Sequence, residues 1–290
     1  MENDEKDFVN DTAELDSTLE DVGVGMGQFV SYSVIFWLQM VGSMLTFLLF
    51  FFSKELSEEW GISSDQIAWL DVLAFLGIFL GWIPGCIISD FMGRRPCVLF
   101  STLLISCISF YSGYCRSFVE LCVFRFLLGV SIGIFEPAST SLALAISPPT
   151  ARRRIAILVI GGATATGRAL LASLVYTLGD QMVYEHAAIS WRGIIVLCSF
   201  MSLLGLVTAA YNLVESPEWM RTRNMPEEAA ATVAALAQDN GKPQAFPKGR
   251  RLAAPAHAAG AGQDLWLSLH HVVDDISILS QVSRRRVPRA

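Results

Sequence analysis

Residues 72–115 read VLAFLGIFLGWIPGCIIS, then DFMGRR, then PCVLFSTLLISCISFYSGYC. Two stretches of 18 and 20 residues, both free of Asp, Glu, Lys and Arg, are therefore joined by a charged turn of six residues. A bilayer core of about 30 Å requires about 20 apolar residues in helical conformation. The stretch predicts two membrane-spanning helices that reverse direction at residues 90–95.

The same criterion predicts six spans along the chain. Besides the two quoted above, residues 29–53 and 193–214 contain no charged side chain. Residues 118–145 and 155–179 reach spanning length only by including charged groups. The sequence therefore predicts an all-α, polytopic membrane protein with a six-helix bundle over residues 29–214.

The distribution of charge supports this prediction and excludes a soluble fold. Only 17% of the 290 residues are charged and the mean hydropathy is +0.47. Residues 30–214 hold ten acidic and ten basic groups, too few for a water-facing surface of that size. Residues 1–28 form an acidic tail, and residues 215–290 are expected to be a poorly ordered loop and tail. Whether the part after about 243 is native is left open.

Basic residues in the loops predict the orientation of the bundle. They are concentrated after the second, fourth and sixth spans, whereas the alternate loops hold few of them. The rule counts Lys and Arg and gives little weight to acidic residues, so the acidic tail does not oppose it. Both termini are predicted to be cytosolic. The residues after these spans are Arg94 and Arg95, Arg152 to Arg154, and Arg221 and Arg223.

Small residues and the charged turn indicate close helix contacts. Gly77, Gly81 and Gly85 recur every four residues, which places them on one helix face and favours tight packing in lipid. Either static packing or a rocking contact would use such a face. In the turn, Asp90 is predicted to pair with Arg94 while Gly93 provides the tight backbone.

Ionisable groups within spans are costly and are usually functional or paired. Asp71 and Arg125 lie at similar depths and are candidates for a salt bridge. Arg168 lies near the middle of the fifth span, with Glu136 on the adjacent helix as its candidate partner. Two interpretations stay open for Arg168: a structural pair with Glu136, or an anion-attracting centre of a binding site in which Gln39 is a further polar group.

Three segments resemble signatures of the major facilitator superfamily. Residues 90–95 resemble the loop G-x-x-x-D-R-x-G-R-R between its second and third helices, although Phe91 replaces an Arg and Cys86 a Gly. Residues 125–133, with Arg125, Gly129 and Gly133, resemble R-F-x-x-G-x-x-x-G of its fourth helix. The third segment resembles the P-E-S-P-R-W element after the sixth helix and contains Glu215, Ser216, Pro217 and Trp219. The best likeness is to synaptic-vesicle-protein-related and organic-ion transporters and sugar porters.

This resemblance implies the N-terminal half of a transporter, built from two inverted three-helix repeats. It implies alternating-access transport of a small organic solute, with Gln39, Glu136 and Arg168 as candidate substrate-binding residues. Asp90, Gly93, Arg94 and Arg95, together with Arg125, Gly129 and Gly133, would serve the conformational change. A pathway would require a second six-helix half or a homodimer in the lipid bilayer. The alternative is a truncated, non-transporting protein that regulates a full-length partner. Neither an enzyme nor a cofactor, metal or nucleic-acid site is expected.

Overall fold

The computed structural model describes residues 14–182, 191–223 and 225–246. Within these residues the chain is helical with no strand, and six helices are long and apolar enough to cross a membrane. We label these spans α1 to α6. They are α1 Met26–Phe51, α2 Ser64–Met92, α3 Arg94–Ser112, α4 Phe118–Ala145, α5 comprising Pro149–Ile155, Ala156–Gly162 and Ala163–Met182, and α6 Trp191–Asn212. The predicted all-α, six-span fold is confirmed.

Helix α2 begins eight residues before its apolar stretch. Ser63 caps the helix because its hydroxyl accepts the Gln66 N–H, while the Gln66 side chain accepts the Ser63 N–H. The helix ends at Met92 and is followed by Gly93, whose φ of +102° is unfavourable for other residues. Asp71 therefore lies inside α2, about two helical turns after its first residue.

The packing of the spans follows an internal two-fold relation. Helix α2 packs on α4, and α5 packs on α1; α3 packs on α4, α6 packs on α1, and α3 and α6 pack on each other. Exchanging α1 with α4, α2 with α5 and α3 with α6 converts the α2–α4 contact into the α5–α1 contact and the α3–α4 contact into the α6–α1 contact. The α3–α6 contact is converted into itself. This is the arrangement expected of two three-helix repeats.

The α2–α4 interface is a contact between glycine-rich faces. A Cβ atom added at Gly77 or Gly81 would lie less than 3.0 Å from the backbone of α4, and the same holds for Gly85. From the other side, a Cβ at Gly129 or Gly133 would meet a carbonyl oxygen of α2 at less than 3.0 Å. The two backbones therefore approach as closely as glycine permits, which maximises van der Waals contact in lipid.

Helix α5 contains a feature that the sequence did not predict. Residues Ala156–Gly162 form a π-helical segment between two α-helical ones. The close glycine contact of α5 lies beyond this segment, where a Cβ at Gly167 would meet the carbonyl of Met40 on α1. At Gly161 an added Cβ meets nothing within 4 Å. Gly161 thus lies on an open face of α5, whereas Gly167 lies in its contact with α1.

Outside the bundle, the polar segments are not simply tails. Residues 14–22 are helical, as are Pro217–Thr222 and Pro226–Asp239. Leu15, Leu19 and Val22 pack against Val233 and its neighbours in a separate hydrophobic cluster that also includes Phe246. The expectation of poor order from residue 215 onward is therefore corrected for 217–222 and 226–239, because these residues bury an apolar face. Residues 247–290 lie outside the described part of the chain.

Candidate functional site

A cavity of about 250 Å³ opens between the two repeats, with walls from α1, α2, α4 and α5. The three candidate substrate-binding residues, Gln39, Glu136 and Arg168, all line it. Spans α3 and α6 contribute no lining residue. The remaining lining residues are Gly42, Ser43, Thr46, Phe47, Phe75, Ile78, Ile132, Phe135 and Thr164.

Arg168 reaches the cavity from α5 and is exposed on the bundle surface. Its guanidinium carbon lies 4.0 Å from the centroid of the Phe47 ring on α1, in cation–π geometry. No acidic side chain in the described part of the chain lies within ion-pair distance of it. The Glu136–Arg168 pair considered from the sequence is not formed, because the cavity separates α4 from this part of α5.

Glu136 enters the cavity from α4 and is oriented by a different partner. Its carboxylate accepts a hydrogen bond from Trp82 Nε1 on α2 at 3.0 Å. The α2–α4 glycine contact permits this bond because it brings the two helices close together. The sequence did not single out Trp82, since its indole is uncharged and its partner lies 54 residues away.

Gln39 provides a buried polar group on the α1 wall. The residue is 7% exposed, and its Oε1 has no hydrogen-bond partner within the described residues. A buried carbonyl oxygen without a partner is energetically costly, so an unsatisfied acceptor facing a cavity requires an explanation. Nearby, Ser43 donates to the Thr164 carbonyl at 3.0 Å and joins α1 to α5.

Arg125 is buried on α4 and contacts α1 rather than an acid. It donates to the carbonyls of Leu45 at 2.7 Å and Thr46 at 3.4 Å. The charge of Asp71 acts on it through space, but the two side chains form no ion pair within 4.0 Å. The direct Asp71–Arg125 salt bridge predicted as one alternative is therefore absent, because the Arg125 guanidinium donates its hydrogen bonds to main-chain carbonyls of α1.

The charged turn between α2 and α3 docks onto the segment after α6. Arg94 forms an ion pair with Glu218 at 3.2 Å and donates to Ser216 Oγ at 3.1 Å. The backbone N–H groups of Arg94 and Arg95 both donate to the Glu215 carboxylate at 3.1 Å. Glu215 thereby caps the N-terminus of α3, where a negative charge is favourable.

The predicted pairing of Arg94 with Asp90 is wrong, because the ion-pair partner of Arg94 is Glu218. Asp90 instead accepts through its main-chain carbonyl, from Trp219 Nε1 and from the Arg223 guanidinium, each at 2.8 Å. Sequence proximity favoured Asp90, whereas the folded chain brings Glu218 to Arg94 from 124 residues away. Gly93 lies beneath this contact, and a Cβ there would come within 2.8 Å of the Glu215 carboxylate.

The N-terminal helical segment is joined to the same end of the bundle. Asp16 forms an ion pair with Arg152 at 2.6 Å, and Glu20 accepts from the Thr150 hydroxyl at 2.6 Å. We call this the arginine-rich end, defined by Arg94, Arg95, Arg152 to Arg154, Arg221 and Arg223. Residues 14–22 therefore connect the start of α5 to Pro226–Asp239.

At the opposite end, Glu59 joins the short helix Ser53–Trp60 to the start of α6. Its carboxylate accepts hydrogen bonds from Trp191 Nε1 at 2.9 Å and from Arg192. Burial raises the pKa of Glu59, but these hydrogen bonds and the Arg192 charge outweigh burial, so the pKa lies below its ordinary value. Burial raises the pKa of the neighbouring Cys115 thiol to about 11, which leaves it protonated at neutral pH.

Among the described residues, no group of three His, Cys, Asp or Glu side chains could hold a metal ion. The cavity instead combines a cation, a carboxylate and an amide within apolar walls, which suits recognition of an organic solute.

The sequence profile of the Major Facilitator Superfamily matches residues 32–272. The chain belongs to this superfamily. Among its relatives are the putative transporter svop-1 of Caenorhabditis elegans, 31% identical over 230 residues, and synaptic vesicle glycoprotein 2A of Rattus norvegicus, 24% identical over 238 residues. The matches cover 79% and 80% of this chain, but only 42% and 32% of the relatives. The chain thus spans less than half the length of these superfamily members.

Solved structures of the superfamily show the same fold. The proton:xylose symporter XylE bound to 6-bromo-6-deoxy-D-glucose superimposes with a TM-score of 0.64 at 16% identity, covering 76% of this chain and 51% of that one. XylE from E. coli in a partially occluded inward-open conformation gives a TM-score of 0.65 at 16% identity, with coverages of 87% and 62%. The expected relation to synaptic-vesicle-related proteins and sugar porters is confirmed, and the chain is a multi-pass membrane protein.

Proposed function

We propose that this chain forms the N-terminal half of a transporter that moves a small organic solute across a membrane by alternating access. The solute binds in the cavity between α1, α2, α4 and α5, with Gln39, Glu136 and Arg168 as its polar contacts. The second wall of the pathway comes from another six-helix bundle, either a separate partner or a second copy.

The observation that carries this proposal is the position of Arg168. It lies nine residues before the end of the span Pro149–Thr177, about 14 Å inside it at 1.5 Å per residue, and it is exposed. A guanidinium facing lipid at that depth costs about 2.5–3.5 kcal/mol on insertion scales. The exposed face is therefore better explained by contact with a water-filled pathway and a second bundle.

Two further features support a moving bundle. The docking of Arg94 and Arg95 on Glu215 connects the α2–α3 turn to the segment after α6 through half-buried hydrogen bonds to a single carboxylate. The smooth glycine faces at Gly81 and Gly133 place backbone against backbone, which permits sliding without interlocked side chains. We assign these residues, with Asp90, Gly93, Arg125 and Gly129, to the conformational change.

Transport is tested with the purified 290-residue chain in liposomes, alone and together with the remaining segment of svop-1 as the second bundle. Uptake is followed for D-xylose, tetraethylammonium, hexanoate and 6-aminohexanoate, and cross-linking reports the oligomeric state. We expect uptake of at least one solute by the paired chain or by a dimer.

Arg168→Ala should abolish that uptake while leaving folded yield unchanged, whereas Arg154→Ala, at an exposed position near the start of α5, should change neither. A folded chain that pairs or dimerises without taking up any solute would contradict the proposal and favour the non-transporting, regulatory alternative. If Arg168→Ala lowers folded yield but not turnover per folded molecule, Arg168 is structural and the assigned site is wrong.

A further inference from the structure

The cavity places opposite charges on different walls without letting them neutralise each other. Arg168 lies on α5 against the Phe47 ring, and Glu136 lies on α4 against the Trp82 indole. Both partners are aromatic, neutral groups from neighbouring helices. Each charge is thus oriented by an aromatic ring while its own charge stays uncompensated by any acidic or basic side chain in the described residues.

Both charges can be hydrated in an open pathway, but a solute that fills the cavity displaces that water, which is costly unless the solute supplies the missing charges. Uncompensated ions within a membrane protein are stabilised by an opposite charge or by hydrogen bonds. A solute with a single charge would satisfy one of the two groups and leave the other. A solute with both charges and no net charge satisfies both at once.

The rest of the lining fits a compact molecule of this kind. Gln39 Oε1, buried and without a partner in the described structure, offers an acceptor for an N–H or O–H group. Between the charged positions the walls are apolar, with Phe75, Ile132 and Phe135 among them. The volume of about 250 Å³ lies below the roughly 300–1,000 Å³ typical of sites for drug-sized ligands.

We propose that the cavity recognises a small zwitterionic organic solute whose carboxylate binds Arg168 and whose ammonium group binds Glu136. This inference rests on the proposed function for the location of the site, but it concerns binding and can be tested without transport. Trp82 acts as a positioning residue, because it fixes the carboxylate of Glu136 and contacts the solute only through that group.

Binding to the full chain in lipid nanodiscs is measured by calorimetry with three probes that each contain six carbon atoms: 6-aminohexanoate, hexanoate and hexylammonium. We expect the zwitterion to bind at least about tenfold more tightly than either singly charged probe, the difference made by one charge-assisted hydrogen-bonded contact. Shorter ω-amino acids, from glycine to 4-aminobutyrate, then show which charge separation fits the cavity.

Two neutralising variants assign the charges. Arg168→Gln should remove the preference for 6-aminohexanoate over hexylammonium, and Glu136→Gln should remove the preference over hexanoate. Trp82→Phe should weaken binding of the zwitterion and of hexylammonium by the same factor and leave hexanoate unchanged, which a general loss of packing would not do. Arg154→Gln, outside the cavity, should leave all three affinities unchanged. If Arg168→Gln does not fold, Arg168→Lys keeps the charge and should keep the preference.

Several results would overturn the inference. Equal binding of hexanoate and 6-aminohexanoate, a preference that survives in both neutralised variants, or no binding of any probe to the folded chain would each do so. Uptake of an uncharged solute without zwitterion binding would leave the proposed transport standing and refute the substrate class. Zwitterion binding without uptake would support the class and contradict transport.

Discussion

At the scale of single residues, we expect Glu215 to hold the α2–α3 turn more firmly than the Arg94–Glu218 ion pair does. Its carboxylate accepts the backbone N–H groups of Arg94 and Arg95 and that of Ser216. Glu215→Ala should therefore lower the free energy of unfolding by about 2 kcal/mol, because it leaves charge-assisted bonds at a helix N-terminus unmade. Thermal unfolding in detergent micelles measures the effect.

Glu218→Ala is the matched control for Glu215→Ala. It removes the ion pair with Arg94, but the Glu218 side chain is 47% exposed, so solvent screens the pair. We expect a loss of about 0–1 kcal/mol. Equal losses in the two variants would show that the ion pair, and not the cap on α3, holds the turn.

The second prediction at this scale concerns pH at the opposite end. The pKa of Glu59 is lowered, so its contribution to stability is complete above the ordinary value of 4.5 and is lost as pH falls through the lower folded value. Because the Glu59 side chain is 37% exposed, solvent screens its contacts. We therefore expect the free energy of unfolding of wild type to exceed that of Glu59→Gln by only about 0.5–1 kcal/mol at pH 7.

The stability difference between these two chains is measured by denaturation at pH 7, 5, 4 and 3. Because Glu59→Gln also removes one of the charges that, with burial, raise the pKa of Glu55, the comparison is repeated in a Glu55→Gln background. A difference that stays constant down to pH 3 would show that the bonds to Trp191 and Arg192 do not depend on the Glu59 charge.

What the sequence could predict at this scale was which residues matter, but seldom what they contact. Arg94, Glu136 and Arg168 stand out in the sequence because ionisable groups at helix ends or at membrane depth are costly without a function. Their partners Glu218, Trp82 and Phe47 come from helices distant in the chain. A spacing rule compares only near neighbours, so it favoured Asp90 for Arg94.

At the scale of elements, the glycine faces of α2 and α4 determine how closely these helices pack. Gly81→Ala would place a methyl group against the Val130 backbone, which cannot move aside as a side chain could. We expect the free energy of unfolding to fall by about 1–3 kcal/mol, because overpacking separates the helices. The yield of monodisperse protein should fall as well. Size-exclusion profiles and melting temperatures measure both effects.

Gly161→Ala is the control for Gly81→Ala. It makes the same chemical change in α5, where an added Cβ meets nothing within 4 Å. Yield and melting temperature should match those of wild type. If both substitutions are equally damaging, loss of glycine flexibility is responsible instead of close packing.

The elements themselves were largely predictable, since apolar stretches of spanning length have few alternatives to a helix in lipid. Their ends and irregularities were not. Ser63 and Gln66 extend α2 by a capping box beyond its apolar part, and the π-helical turn Ala156–Gly162 is not visible in residue spacing. Hydropathy detects burial in lipid, whereas caps and π-turns depend on individual hydrogen bonds.

At the scale of the whole molecule, the six spans form one wall of a proposed pathway. The internal two-fold relation brings α1, α2, α4 and α5 to the cavity and keeps α3 and α6 away from it. The sequence could predict this arrangement only through the family resemblance, because no spacing rule relates helices of different repeats. In the proposed transporter, the cavity and exposed Arg168 bind the solute, and the glycine faces permit the conformational change.

The remaining prediction at this scale is the orientation in the membrane. The basic residues of the arginine-rich end lie with residues 14–22, which contact Arg152 and Thr150. Since clustered Lys and Arg near span ends are retained on the cytosolic side, this whole end should face the cytosol. A membrane-impermeant maleimide applied to intact cells should then label Glu58→Cys and not Ser17→Cys, both of which are exposed positions.

Permeabilisation should make Ser17→Cys reactive as well, and the wild-type chain gives the background from its six native cysteines. Labelling of Ser17→Cys before permeabilisation would invert the topology and place the Arg94–Glu218 contact on the outer side, where it could not respond to cytosolic partners.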